Sequence, residues 1–343
     1  MKITRYLRLA VLAVTVFAGC SREVETSNEN VRPEIVVQAY DKLMRVNESS
    51  IISVAMEAEA RQDITVSWWT DNGRLDAVGS SMMYTAPDSA GVAVIKMVVR
   101  DRTHQVYSDS TIIRIYSQLV FLKADDLDYD RVNIISPRWQ RFIGIIKKKK
   151  IKANMGLIGT SLEKGNSDYI AAVKQLAKNG RFEIWNHGYD HVLQQVGDAG
   201  EVYSEFQNSA FAYQKDHLLR TQRLAKSKLG MVIHTFGAPG NRIDVNTKTA
   251  LDDIADIKVW YYGLPDPPRL VLKRMGELEF PAGNPDFEQF IARYQPENDY
   301  IVLQLHPNMW NDEQFAEFEK TIDFLIKQQV TFINPYEYYQ LKQ

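Results

Sequence analysis

The stretch Leu119-Val120-Phe121-Leu122-Lys123-Ala124-Asp125-Asp126-Leu127-Asp128 opens as a continuous apolar strand and ends in a cluster of carboxylates. A strand with one face in water alternates apolar and polar residues. An unbroken apolar run belongs to a strand covered on both faces, as in parallel sheets beneath helices. The same rhythm continues downstream. A helical pattern over Pro137–Lys149 leads to a strand at Ala153–Ile158. Ser167 is placed to cap a helix that runs to Lys178 and stops at Asn179-Gly180. Next come a strand at Phe182–Asn186, a long helix over Glu205–Leu229 and a strand at Val232–Phe236. They are followed by a helix at Asn246–Ile254 and strands at Ile257–Tyr261 and Tyr300–Leu305. A helix at Glu313–Gln328, a strand at Val330–Ile333 and a short terminal helix complete the pattern. Repeated strand–helix units of this kind predict an α/β domain over 118–343, with the parallel strands closed as a barrel rather than laid out as an open sheet.

Upstream the regime differs. Residues 33–117 carry short β-like segments, among them Ile64–Thr70, Val92–Arg100 and Ser110–Tyr116, separated by turns such as Asp71-Asn72-Gly73. They predict an antiparallel β-sandwich. Trp68-Trp69 before a turn, then Tyr84-Thr85-Ala86-Pro87 and a strand ending Val98-Val99-Arg100-Asp101, resemble the immunoglobulin-like modules of bacterial surface proteins. That resemblance implies a spacer.

The first residues stand apart from both domains. Lys2, Arg5 and Arg8 precede an apolar run, Leu9–Ala18, too short to span a bilayer. Phe17-Ala18-Gly19-Cys20 resembles a bacterial lipoprotein signal, which implies that residues 1–19 are a signal peptide and that Cys20 is lipidated. The expected protein is then extracytoplasmic, held to a membrane by lipid alone, with 20–32 as a polar tether. A plain secretory signal with an incidental cysteine is the other reading. Cys20 is the only cysteine, which excludes an internal disulfide and a multi-cysteine metal site. The formal net charge of −2 and the lack of a basic, aromatic-interleaved stripe give no footing for nucleic acid. Protein partners are not legible.

In a barrel of parallel strands, residues just past the C-terminal strand ends build the active site. Three strands here end in polar clusters. Asp125-Asp126 follows the first; taken alone, the pair also suits a solvated loop. Phe182–Asn186 runs into His187-Gly188-Tyr189-Asp190-His191, which uses two of the six histidines in the chain. Two imidazoles four residues apart share a face if the segment turns, and with a carboxylate they suit zinc with a position left open. Tyr300–Leu305 ends at His306, and a lone strand-end histidine is also a common packing residue. His104, His217 and His234 have no companions and read as structural.

An apolar strand into Asp-Asp, a His-x-x-x-His after a later strand and a strand-terminal His near the end resemble, in that order, the polysaccharide deacetylases (NodB homology, carbohydrate esterase family 4). The resemblance spans roughly 118–343. It implies a deformed parallel (β/α) barrel and a metal-dependent hydrolase that removes acetyl groups from a glycan, most simply an N-acetyl amino sugar. It implies a divalent cation, zinc first, with cobalt, nickel or manganese as alternatives. Asp126, His187 and His191 would be its ligands, Asp125 the general base and His306 the general acid. A backbone N–H near Gly240 would help hold the oxyanion, and Asp256 with Trp260 would match a later Asp and Trp of the family. Trp185, Trp260 and Trp310 lie near the motifs, as a wall for a sugar ring or as packing.

The chain departs from the family pattern at several places. Gly237 stands where the family has the arginine that orients the base, and Arg242 lies five residues on. Gly240 replaces a tyrosine, Gln304 a hydrophobic residue, and the first motif reads Lys-Ala-Asp-Asp-Leu. The alternative function is therefore a catalytically degenerate domain that binds carbohydrate as a surface lipoprotein without turnover.

Overall fold

The computed structural model describes residues 35–56, 64–197 and 200–343. The expected signal, Cys20 and the tether lie outside the described residues. Among the described residues no helix is long and apolar enough to cross a membrane.

Ile35–Tyr116 forms two four-stranded sheets that share one core. Their strands are β1 Ile35–Ala39, β2 Leu43–Arg45, β3 Ser49–Met56, β4 Thr65–Thr70, β5 Arg74–Val78, β6 Ser81–Thr85, β7 Gly91–Arg100 and β8 Val106–Tyr116. The orders are β1-β3-β6-β5 and β2-β8-β7-β4. Inward residues such as Ile52, Tyr84, Ile95, Met97 and Ile113 pack between them. Alternation placed most of these strands; β5, which follows Asp71-Asn72-Gly73, has one apolar residue facing inward and carried little signal. The sandwich is not wholly antiparallel, because β2 pairs with β8 in parallel.

Beyond it a parallel sheet curls round a second core. Its strands are β9 Leu119–Leu127, β10 Ala153–Leu157, β11 Phe182–Asn186, β14 Thr235–Phe236, β15 Val259–Tyr261, β16 Leu270–Leu272, β17 Tyr300–Leu305 and β18 Thr331–Phe332; the pair β12 Gln195–Val196 and β13 Val202–Tyr203 forms a separate hairpin. The order is β16-β15-β14-β11-β10-β9-β17, with β18 also on β9. Beyond β16 the chain meets β17 through Val302 N–H to Met275 O at 2.7 Å, so the sheet is nearly closed. The helices α1 Pro137–Lys149, α2 Ser161–Lys164, α3 Ser167–Lys178, α4 Phe211–Leu224, α5 Val245–Asp252, α6 Phe287–Arg293, α7 Asp312–Lys327 and α8 Pro335–Leu341 follow. This is the deformed (β/α) barrel expected, joined to an all-β module.

Local chemistry sets the helix ends. Ser136 accepts from Trp139 N–H and Pro137 sits in the first turn, while Lys147–Lys149 fill the last turn of α1, where the helix dipole favours cations. Several boundaries differ from the sequence reading, two of them at helix starts. Asn166, not Ser167, caps α3, accepting from Tyr169 N–H. The long helix starts at Phe211 rather than Glu205, because the Glu205 side chain is spent on the loop around His191.

The module docks where the barrel strands begin. Arg45 donates to the Pro296 and Glu297 carbonyls, and Leu43 and Tyr116 pack with Leu119 and Phe121. The mouth at the other end of the strands stays clear of it.

Candidate metal centre

In a regular strand neighbouring side chains point to opposite faces. β9 breaks that rule where it matters. Its register with β10 shifts between Met155 and Leu157, and Asp126 has a left-handed φ of +69°. This bulge lets Asp125 and Asp126 serve one mouth. The Asp126 carbonyl is held by Trp139 Nε1 at 3.1 Å and Asn308 Nδ2 at 3.0 Å.

Asp126 Oδ1 lies 3.1 Å from His187 Nε2 and 2.7 Å from His191 Nε2. His187 is buried and its Nδ1 faces the Gly237 carbonyl at 2.8 Å. A carbonyl only accepts, so Nδ1 carries the proton and Nε2 is directed at Asp126, the arrangement typical of a metal-ligating histidine. Burial alone would raise the Asp126 carboxyl, but the two imidazoles beside it hold it far below the usual carboxylate range. Burial opposes charge on His191, yet Asp126 pushes its pKa above the ordinary value. Two nitrogens and one oxygen, all within 4.8 Å of one another, fit a cation such as zinc with a position left open.

Asp125 faces a different environment. Its carboxylate is 1% exposed and meets the Lys123 ammonium, itself 0% exposed, at 2.7 and 2.6 Å. Lys123 and Asp125 are two apart on one strand and share a face. Gln304 Nε2 donates to Asp125 Oδ2 at 2.7 Å, and Gln304 Oε1 accepts from Asn241 at 3.0 Å. Burial pulls the Lys123 ammonium below the lysine range, against the opposing pull of Asp125. Its Nζ lies 4.9 Å from the Trp185 ring, 5.2 Å from Tyr262 and 5.7 Å from Tyr261, a cation–π box that offsets part of the lost hydration.

His306 Nε2 stands 3.8 Å from Asp125 Oδ2 on the other side. Its Nδ1 is 2.5 Å from Glu279 Oε2, and Glu279 also accepts from the His306 N–H, Trp310 Nε1 and Gly283 N–H. Burial works against a charged ring here, but Glu279 and Asp125 carry the His306 pKa above the histidine norm.

The mouth thus gathers Asp125, Asp126, His187, His191 and His306. Other sequence candidates fall elsewhere. Arg242 does not reach the base: its guanidinium holds the Leu193 carbonyl, and the cation on Asp125 is Lys123. Gly240 sits at the exposed lip with φ +58°. Trp185, Trp260 and Trp310 are fully buried, Trp185 inside the barrel and the other two beneath the helices, so none forms an open wall. Asp256 offers only its carbonyl, to His234; the carboxylate behind His306 is Glu279. Sequence reading missed Lys123 as a partner, Gln304 as a donor and Glu279. Lys123 had a signal, being the one charge inside an apolar strand; Glu279, far from any motif, had none.

What converges at the mouth is a carboxylate and a histidine able to exchange protons beside a candidate cation site. Residues 117–255 match the family model for polysaccharide deacetylase. Comparison with curated proteins finds no match. Among solved structures, the chain is similar to the carbohydrate esterase family 4 domain of a multidomain xylanase from the Trinervitermes trinervoides hindgut metagenome (16% identity, 66% of this chain, 91% of that chain, TM-score 0.47). It is also similar to a family 4 acetyl xylan esterase from Clostridium thermocellum (18%, 65% and 91%, TM-score 0.45). A family 4 pseudoenzyme from Bacillus anthracis is a further likeness (14%, 79% and 89%, TM-score 0.46).

Proposed function

We propose that the chain is a metal-dependent deacetylase acting on a glycan, most simply on an N-acetyl amino sugar, outside the cytoplasm. The observation that carries this reading is Asp125, a buried carboxylate set between the ligand triad and His306. A carbohydrate-binding domain without turnover has no use for a base and an acid facing one another across 3.8 Å.

Asp126, His187 and His191 would hold the cation, zinc by the character of the donors. When bound, such an ion polarises an acyl carbonyl and acidifies water. Asp125 takes the proton from the attacking water, and Lys123 and Gln304 fix its carboxylate toward the mouth. His306, protonated and backed by Glu279, gives a proton to the departing amine or alcohol, which leaves poorly as an anion. The products are acetate and a free amino or hydroxyl group. A groove of about 490 Å³ lies along the chain that follows β9, lined by Asp128, Tyr129, Ser136, Arg138 and Asn308, and has room for neighbouring sugar units. The lipid anchor at Cys20 and the spacer role of residues 33–117 belong to the same proposal. In this reading the module, which docks at the end of the barrel opposite the mouth, would stand between anchor and mouth.

The test is acetate release from acetylated chito-oligosaccharides by the protein lacking residues 1–20, with zinc or cobalt, beside Asp125→Asn. Acetate from the wild type alone supports the reading. Binding of the oligosaccharide by a metal-loaded wild type that never releases acetate from N- or O-acetylated glycans refutes it in favour of the binding domain.

A further inference from the structure

His191 is supplied by a loop, yet its Nε2 lies 2.7 Å from Asp126. Its backbone is in the left-handed region, φ +61°, which a non-glycine residue adopts only when something holds it there. That something is Glu205. Its fully buried carboxylate accepts from the Tyr189 N–H, from the His191 N–H at 2.9 Å, from the Asp190 N–H at 3.4 Å and from His217 Nδ1 at 3.0 Å. The Glu205 N–H in turn donates to the Val192 carbonyl at 2.8 Å. Successive N–H groups converging on one anion form a nest, and here the anion is the chain's own side chain.

The neighbours are shaped to admit it. Gly188 has φ +76°, and a Cβ there would lie 2.5 Å from Glu205 Oε2. Asn186 Oδ1 accepts the Gly188 N–H at 3.0 Å and fixes the entry to the turn. Asp190, Glu205 and His217 stand close enough together to suggest a second cation site. Both Glu205 oxygens are already committed to N–H donors, so this group is a bracket behind His191 rather than a site of its own.

We infer that Glu205, whose carboxylate is bonded to the loop backbone and His217, is a positioning residue that sets the metal affinity and ligand geometry of the mouth. The inference rests on reading Asp126, His187 and His191 as the ligands. Glu205→Gln is the informative change. An amide has one acceptor oxygen, so its NH2 must face either the His191 N–H or the Tyr189 and His217 donors, and one side of the bracket opens.

The experiment uses the full-length chain stripped of metal and titrated with Co2+, read by its visible absorption and by calorimetry, with circular dichroism as the check on folding. We expect Glu205→Gln to stay folded, to bind Co2+ about 10–100-fold more weakly and to show an altered visible band. A role in stability alone would lower the melting temperature but leave the affinity and spectrum of the folded protein unchanged, and that result overturns the inference. Should Glu205→Gln not fold, Glu205→Asp carries the test: it keeps the charge, withdraws the carboxylate from the loop and has the same two outcomes. Asp126→Asn separates the two readings. A wild type that takes up no Co2+, or an Asp126→Asn that binds as the wild type does, refutes the ligand assignment and the inference with it. Loss of binding in Asp126→Asn with none in Glu205→Gln or Glu205→Asp refutes the inference alone.

Discussion

Lys123→Met is the most informative single change to the proposed base. Methionine keeps the length and most of the volume of lysine but removes the ammonium from the box of Trp185, Tyr261 and Tyr262. Asp125, 1% exposed, would keep only the Gln304 hydrogen bond for its charge. Taking one partner from a buried ion pair typically costs about 3–5 kcal/mol, because the other charge is stranded. The loss should therefore appear as a lowered urea midpoint at neutral pH, and a carboxylate that has lost the cation fixing it toward the mouth should turn over more slowly. The double variant Lys123→Met/Asp125→Asn should recover most of the stability and none of the activity. Urea denaturation at several pH values, paired with acetate release, measures both. If Lys123→Met unfolds at the wild-type urea concentration at pH 8 and still turns over normally, the Lys123–Asp125 pair has neither role.

Further outcomes follow from other sites. His306 is held above the ordinary histidine pKa partly by Glu279, so the alkaline limb of kcat/KM should lie above that of a free histidine and move down in Glu279→Gln; a full pH–rate profile of both proteins tests this. Glu183, half-buried near the start of β11, is pushed up to about 7 by burial, against hydrogen bonds from Thr235 and Tyr336. Its raised pKa means that stability is lost as pH rises from the carboxylate range through 7, so Glu183→Gln should be the more stable protein at pH 8, by up to about 3 kcal/mol; chemical denaturation at pH 5 and 8 gives the comparison. Gly156→Ala would bring a methyl carbon to 2.5 Å from the Trp185 ring and should destabilise by about 1–3 kcal/mol, which a thermal melt detects.

Much of this molecule was legible in its sequence. Unbroken apolar runs such as Leu119–Leu122 mark strands buried on both faces, and their alternation with amphipathic helices leaves few architectures other than a helix-covered parallel sheet. The ligand and proton-transfer candidates were legible for the same reason: a polar residue directly after such a run must lie at the mouth. The sequence could not say how neighbouring Asp125 and Asp126 both enter one site, because that depends on a bulge set by pairing with β10. Nor could it show that Lys123 takes the place open at Gly237. A lysine two residues before Asp125 reads as a mere charge in a strand until Trp185 of β11 and Tyr261 and Tyr262 at the end of β15 close over it. Glu279 and Glu205 were hidden by distance along the chain, 27 residues from His306 and 14 from His191. Local pattern determines which residues can line a strand end; which carboxylate stands behind which histidine is decided only when the barrel brings separate loops together.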